Sequence, residues 1–324
     1  MDQLDPRAEL SEFLRSRRAR LQPQDVGLPD YGGRRRVPGL RREELAQLAG
    51  VSVAYYTRLE QGHSHNVSAS VLDAIATALR LTKAERDHLT HLTKPKRRTR
   101  RAQSRPQRVR PGLQQLLDAM ESVPAYVIGR RMDVLAWNRM ACALLTDFRA
   151  LAPHERNMAW LVFLDPHSRE LYPEWEQKAS DIVAWLRLDA GCHPDDPQLT
   201  ALIGELSVKS GEFRRMWAAH NVQDKSYGVK HLYHPLVGSL TLSYEALKLP
   251  ADQSQELIAY HAEPGSPSAE ALRLLASWSA ETPGATSAAS ATGTGGAGSA
   301  HGTAGAAEAA DASEAAADAR AERG

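Results

Sequence analysis

The residues best placed to do chemistry lie between Leu40 and Gly62, where Arg42, Ser52, Tyr55, Thr57 and Arg58 gather around a glycine. The stretch reads LRREELAQLAGVSVAYYTRLEQG, two short helices flanking a tight turn at Gly50. Leu45, Ala49, Val51, Tyr56 and Leu59 recur at the spacing of a single inward face. Ala46 is small, as a close helix crossing requires. The outer face and leading end of the second helix then carry Ser52, Val53, Ala54, Tyr55, Thr57 and Arg58. Hydroxyl and guanidinium donors at such an end suit phosphate oxygens and base edges. This is the geometry of a helix-turn-helix, whose second helix enters the major groove of duplex DNA by its N-terminal end.

The elements that must position this pair can be read on either side. Asp5-Pro6 opens a first helix, with Asp as cap and Pro at the first helical position. Leu10, Phe13, Leu14 and Leu21 follow at helical spacing. Gly32-Gly33 and Pro38-Gly39 break the chain, and a second helix runs from about Arg42 to Ala49 with Glu43 and Glu44 in its dipole-favoured first turn. Leu40 and Leu45 form its hydrophobic staple, but Arg41 stands where a small polar cap is usual, which predicts a weakly capped start. Gly50 ends this helix in the left-handed conformation. Ser52 caps the third helix, Ser68 the fourth, and Thr82 to Glu85 is a capping box opening the fifth. The insert from Gln22 to Gly39 holds Arg34, Arg35 and Arg36, which serve either as a solvated turn or as phosphate contacts.

The chain has 324 residues and a net charge of +1 that conceals a polarity. Residues 1–110 carry 23 Lys and Arg against 12 Asp and Glu, whereas the remainder carries 17 against 27. A basic front suits a polyanion and an acidic back suits a different task. Four segments follow: a helical domain over 5–93, a basic linker over 94–110 with nine Lys and Arg, a mixed domain over 111–279, and an Ala/Gly/Ser-rich tail over 280–324. The linker serves either as a spacer or as a further DNA contact. The tail has almost no large apolar side chain to offset its ordering entropy and is expected to be disordered. No signal peptide and no membrane-length apolar run is visible, so a cytoplasmic location without membrane association is expected. Two cysteines, Cys142 and Cys192, exclude a disulfide framework and a cysteine-rich zinc site. No phosphate loop, nucleophile elbow or H-E-x-x-H helix occurs, and His63-Ser64-His65 has no third ligand nearby; neither an enzyme, a cofactor nor a metal is expected.

In the back segment, Ala125–Gly129 and Asp133–Trp137 read as two strands, after which Asn138 caps a short helix. Helical stretches follow near 174–189, 196–208 and 211–219, then strands at 227–233, 240–244 and 257–261, with a hairpin turn at Gly238-Ser239. Trp137, Trp160, Phe163, Trp185, Phe213 and Trp217 are either core or the walls of an apolar pocket. Arg214, Arg215 and His220 are either a surface helix face or partners for a ligand carboxylate.

The front motif, REELAQLAGVSxxYYTRLEQG, resembles the phage-repressor-like (XRE) helix-turn-helix family over residues 5–93. The resemblance implies five helices, with Arg42 on phosphate and Val53, Ala54 and Arg58 at base edges. Ser52, Tyr55 and Thr57 would touch backbone or base, and Glu60 would pair with Arg18 as scaffold. Val53 and Ala54 depart from the polar residues frequent there, so direct readout falls heavily on Arg58. A bidentate Arg–guanine pair discriminates by about 1–3 kcal/mol. The back segment, through GRRMDVLAWN, FRRMWAAHNV and HPLVGSLTLSYE, resembles regulators of the Streptomyces type with an MmyB-like ligand-binding domain. That implies a PAS-like α+β fold enclosing an apolar, fatty-acid-like ligand. The expectation is a mixed α and α/β chain, a homodimeric transcriptional regulator of double-stranded DNA tuned by that ligand. The alternative is that its back half is a protein-interaction or dimerisation module without ligand.

Overall fold

A computed structural model describes residues 5–28, 37–63, 67–93, 107–222, 226–250 and 252–281. Arg34, Arg35 and Arg36, residues 94–106 of the basic stretch, Ser64, His65 and the tail from 282 onward lie outside the described residues.

The front half is built from its caps. The Asp5 carboxylate accepts from the Arg7 amide at 3.0 Å and starts α1 (Pro6–Arg20). The chain returns through a short 3-10 turn at Pro23–Val26 to α2 (Arg42–Leu48). Arg41 supplies no side-chain cap, yet the start is not bare: Glu44 reaches back and accepts from the Arg41 amide at 2.7 Å. Gly50, at φ 64, turns the chain into α3 (Val53–Glu60), where the Ser52 hydroxyl accepts from the Tyr55 amide at 3.1 Å. Ser68 caps α4 (Ala69–Ala78) in the same way. Thr82 and Glu85 exchange bonds of 2.8 and 3.4 Å at the start of α5 (Lys83–Thr93). The inward faces meet in a core of Leu10, Phe13, Leu14, Leu40, Leu45, Tyr56, Leu59 and Ile75, all essentially sealed from water.

The back half is an α+β domain. Its strands are β1 (Ala125–Ile128), β2 (Val134–Trp137), β3 (Tyr227–His234), β4 (Gly238–Leu249) and β5 (Asp252–His261). They form one antiparallel sheet in the order β2-β1-β5-β4-β3. Its helices are α6 (Pro111–Ala119), α7 (Arg139–Leu144), α8 (Met158–Leu164), α9 (His167–Leu171), α10 (Trp175–Cys192), α11 (Pro197–Lys209), α12 (Gly211–Ala218) and α13 (Pro267–Glu281). Strand β1 is buried on both faces: Tyr126 and Ile128 join the main core, while Ala125 and Val127 pack with Leu113 and Leu117 of α6. The alternation of period two makes this possible. Of the stretch read as a linker, residues 107–110 lie against the sheet. Gln107 donates to Ser254 Oγ at 2.8 Å and accepts from the Arg130 amide at 2.7 Å, and Val109 packs with α6.

The mixed architecture expected from the sequence is present, with differences in detail. Gly238 and Ser239 are not the hairpin turn. Tyr233 pairs with Ser239 and His234 with Gly238, so the connection is Pro235-Leu236-Val237, closed by Gly238 at φ 73. Pro235 has no amide proton to continue the ladder, which is why the turn falls there. Helices α6, α8, α9 and α13 carry short or interrupted apolar patterns that the sequence reading did not pick out.

Candidate DNA-binding face and ligand cavity

The outer surface of α3 is what the sequence pattern predicts in geometry. Ser52, Val53, Ala54 and Arg58 are exposed and Tyr55 and Thr57 half-buried, while Tyr56 and Leu59 are fully inside. Beneath this face sits Glu60, 1% exposed. Its carboxylate accepts from Arg18 Nε at 2.8 Å and Nη2 at 3.0 Å, and from Arg42 Nε at 2.8 Å. Arg18 also donates to the Leu40 carbonyl at 2.6 Å, tying α1 to the start of the helix pair. Burial pushes the Glu60 carboxyl up, but the Arg18 hydrogen bonds and charge, with Arg42 behind them, outweigh it and hold it below the usual carboxylate range. Arg42, read from the sequence as a phosphate contact, is thus also a ligand of Glu60. Its half-exposed guanidinium is oriented by that carboxylate.

A cavity of about 80 Å³ lies between α10 and the inner face of the sheet. Lys178, Asp181, Ile182 and Trp185 line it from α10, Tyr126 and Ile128 from β1, Tyr244 and Ala246 from β4, and Glu256, Ile258 and Tyr260 from β5. Met132, Met158 and Lys230 complete the wall. Met132 and its neighbour Arg131 hold left-handed backbone at φ 65 and 59. Arg131 is clamped by Asp133 at 2.6 Å, by Asp196 at 2.9 Å and, through its amide, by Asp189 at 3.1 Å. Non-glycine residues keep such a conformation only where their surroundings over-determine it.

Of the aromatic and basic residues singled out as pocket candidates, Trp185 borders this cavity. Trp137 packs on Phe148 at 5.3 Å with Arg156 over its ring, and Trp160 is partly buried against the core. Phe163 meets Trp175 and Phe213 edge-on at 5.7 and 5.1 Å, and Phe213 stacks on Trp217 at 5.7 Å. Arg214 and Arg215 are exposed on α12. For Phe213, Arg214, Arg215 and Trp217 the cause is the placement of α12, which packs on α10 and α11. The α10 residues that line the cavity, 178, 181, 182 and 185, are spaced i, i+3, i+4 and i+7 on one stripe of the helix, a spacing that ordinary core positions share and that does not mark them out in the sequence.

His220 belongs to a third constellation, where the two halves meet. Arg187 of α10 is completely buried, with its guanidinium stacked at 4.1 Å over Trp217. It donates to Glu9 of α1 and to the Trp217 carbonyl, and contacts His220 Nδ1 at 2.9 Å. His220 Nε2 reaches Glu12 at 2.8 Å, and Arg17 donates to the His220 carbonyl. Burial pushes the Glu9 carboxyl up, but His220, His88 and Arg187 together carry it well below the usual range. His88 of α5 is buried 3.8 Å from Glu9, beyond hydrogen-bonding distance, and burial pushes its pKa down. A Cβ on Gly191 of α10 would stand 2.6 Å from the His88 ring, so glycine is what allows α10 this close to α5. Leu188 and Val222 join the core of the front half.

No curated protein matches the chain. Among the described residues no group of three metal-ligating side chains occurs and no helix is long and apolar enough to cross a membrane. The model of a helix-turn-helix domain matches residues 9–89, and that of the MmyB-like transcription regulator ligand binding domain matches 109–275, about half of the chain. With a DNA-binding fold ahead of that ligand-binding domain, the chain belongs to the MmyB-like transcription regulators.

Proposed function

We propose that the protein binds duplex DNA sequence-specifically through the exposed face of α3, as a homodimer on a two-fold-related site, and that a small apolar molecule in the cavity under α10 changes its DNA affinity. The observation that carries the regulatory part is the path of α10. One unbroken helix of 18 residues lines the cavity with Lys178, Ile182 and Trp185 and, less than one turn later, buries Arg187 against Glu9 of the DNA-binding half. A ligand that favours one position of α10 therefore has differential contact with two arrangements of α1 and α5, the condition for shifting DNA affinity. The domains are those of a transcription regulator.

Selection of bound sequences from a random duplex pool tests the DNA reading and reports half-site spacing at once. For the face itself, Arg58→Ala is expected to relax preference at one base-pair position by about 1–3 kcal/mol. Arg42→Ala is expected to weaken binding to all duplexes alike and to lower the salt slope by about one unit. Competition titrations at several salt concentrations separate the two, and the reverse pattern refutes the assignment.

A second reading, a dimerisation or protein-interaction module without ligand, draws on Tyr227, Val229, Tyr233 and Leu247, which are 52 to 72% exposed on β3 and β4. Binding curves that stay superimposed with and without an occupied cavity would favour it.

A further inference from the structure

His88 of α5 is a titratable group sealed into the joint between the two halves. It is 0% exposed, and neither ring nitrogen has a hydrogen bond among the described residues. An imidazole that gives up water without a replacement bond loses free energy, so such a group in a native core calls for an explanation. Its surroundings are tight. Phe13 of α1 meets the ring edge-on at 5.1 Å, Gly191 of α10 lies against it, and Glu9 of α1 stands 3.8 Å from Nε2. The ionisable groups around the joint are Glu9, Glu12 and Arg17 of α1, Arg187 of α10, His220 after α12, and Glu85 and His91 of α5 itself. The acids among them are already engaged: Glu9 by Arg187, Glu12 by His220 at 2.8 Å and Glu85 by Arg17 at 2.7 Å. His91 meets Cys192 at 3.6 Å. A proton on His88 therefore finds no acid of its own and adds a third buried cation to Arg17 and Arg187. Burial pushes the His88 pKa below its ordinary value; Glu9 opposes the shift, and Arg187 and Arg17 add to it.

We propose that His88 makes the joint an acid-sensitive catch: as pH falls from about 7.5 to about 5.5, the proton that His88 takes up releases α1 and α5 from α10 and frees the DNA-binding half. This rests on the reading that α10 couples the two halves, and it names a second input to that coupling besides the cavity. In the closed joint the imidazole is neutral, and in the open one it titrates near its ordinary value of about 6.5. The closed form therefore holds in full above that value and loses ground as pH drops through it. An open state that alone takes the proton gains about tenfold in relative population across the two pH units.

The test is amide hydrogen exchange of the full chain across that range, expressed as protection corrected for the intrinsic rate. Protection of the α1 and α5 amides is expected to fall about tenfold in the wild type. It is expected to stay level in His88→Leu, which suits a site walled by Phe13 and Gly191 and takes no proton. Unchanged protection in the wild type overturns the catch. An equal fall in the variant assigns the effect to another group and overturns the role of His88. If the variant does not fold, exchange of the imidazole C2 hydrogen in the wild type, read by mass spectrometry, reports the half-point of His88 directly. A half-point at or above about 6.5 overturns the proposal, and one below it, together with the tenfold fall, upholds it. Duplex affinity is measured in parallel. Protection that falls in the wild type alone, with the two proteins matching in duplex affinity at every pH, upholds the catch and rejects the reading that α10 sets DNA affinity.

Discussion

Glu60→Ala is expected to cost the DNA-binding half about 3–5 kcal/mol, the usual loss when one partner of a buried ion pair is removed. The melting temperature of the protein should fall by roughly 10 °C. The reason is the arithmetic of charge in the space beneath α3. Glu60 is 1% exposed and accepts from both Arg18, itself 7% exposed, and Arg42. Deleting the carboxylate leaves the Arg18 guanidinium buried with the Leu40 carbonyl as its remaining acceptor. Arg42 can turn out to water, so its share of the loss is small. The exposed residues of α3 are untouched, so the folded fraction should keep its sequence preference. Thermal melts read alongside competition titrations check both halves of the claim. An unchanged melting temperature with altered specificity would show that Glu60 takes part in readout and is no mere scaffold. The pH dependence has a definite sign. Because the folded carboxyl is held below its ordinary range, its stabilisation is present in full above the unfolded value of about 4.3 and is lost as pH falls through the folded value. Acid melts of the wild type should therefore steepen below about pH 4.3, and Glu60→Ala should lack that component.

Arg187→Met is expected to disconnect the two halves. Methionine fills much of the aliphatic space and keeps contact with Trp217, but it returns nothing to Glu9, His220 or the Trp217 carbonyl. Glu9 is then left in a poorly hydrated site with His220 3.5 Å away and with His88, whose pKa burial lowers. A loss of about 3 kcal/mol, the low end for a broken buried pair, is expected because His220 and its partner Glu12 remain. The stability change alone would not distinguish a joint from a brace, so two readouts are needed. Hydrogen exchange should quicken in α1 and α5, which Arg187 and Gly191 hold against α10. Duplex affinity should cease to respond to a ligand that still binds in the cavity, since Lys178 and Trp185 are untouched. A variant that keeps the full response would show that the signal travels by another route.

How much of this was legible beforehand divides along a physical line. The sequence by itself determined the front half almost completely, because its rules are local. Asp5, Ser52, Ser68 and Thr82 cap helices by reaching two or three residues along the chain, Gly50 takes the left-handed turn, and the apolar spacing around 45–59 settles which face of α3 is outside. Even Arg18–Glu60, 42 residues apart, was available through the motif. The strands at 125–128 and 134–137 and the Asn138 cap were legible for the same reason. Which side chains line the cavity, and which join the halves, was decided only by the tertiary structure. Phe213 and Trp217 look identical in sequence to pocket aromatics, yet α12 turns Phe213 onto Phe163 of α8 and Trp217 under the Arg187 guanidinium of α10. His220 looked like a carboxylate partner and is one, but for Glu12 of the first helix. Lys178 and Arg187 are ordinary helical cations until packing decides their surroundings: Arg187 meets Glu9 and becomes a joint, while Lys178 lines the cavity beside the Tyr172 ring. Burial and partner choice are properties of distant segments brought together, and no local pattern along α10 encodes them.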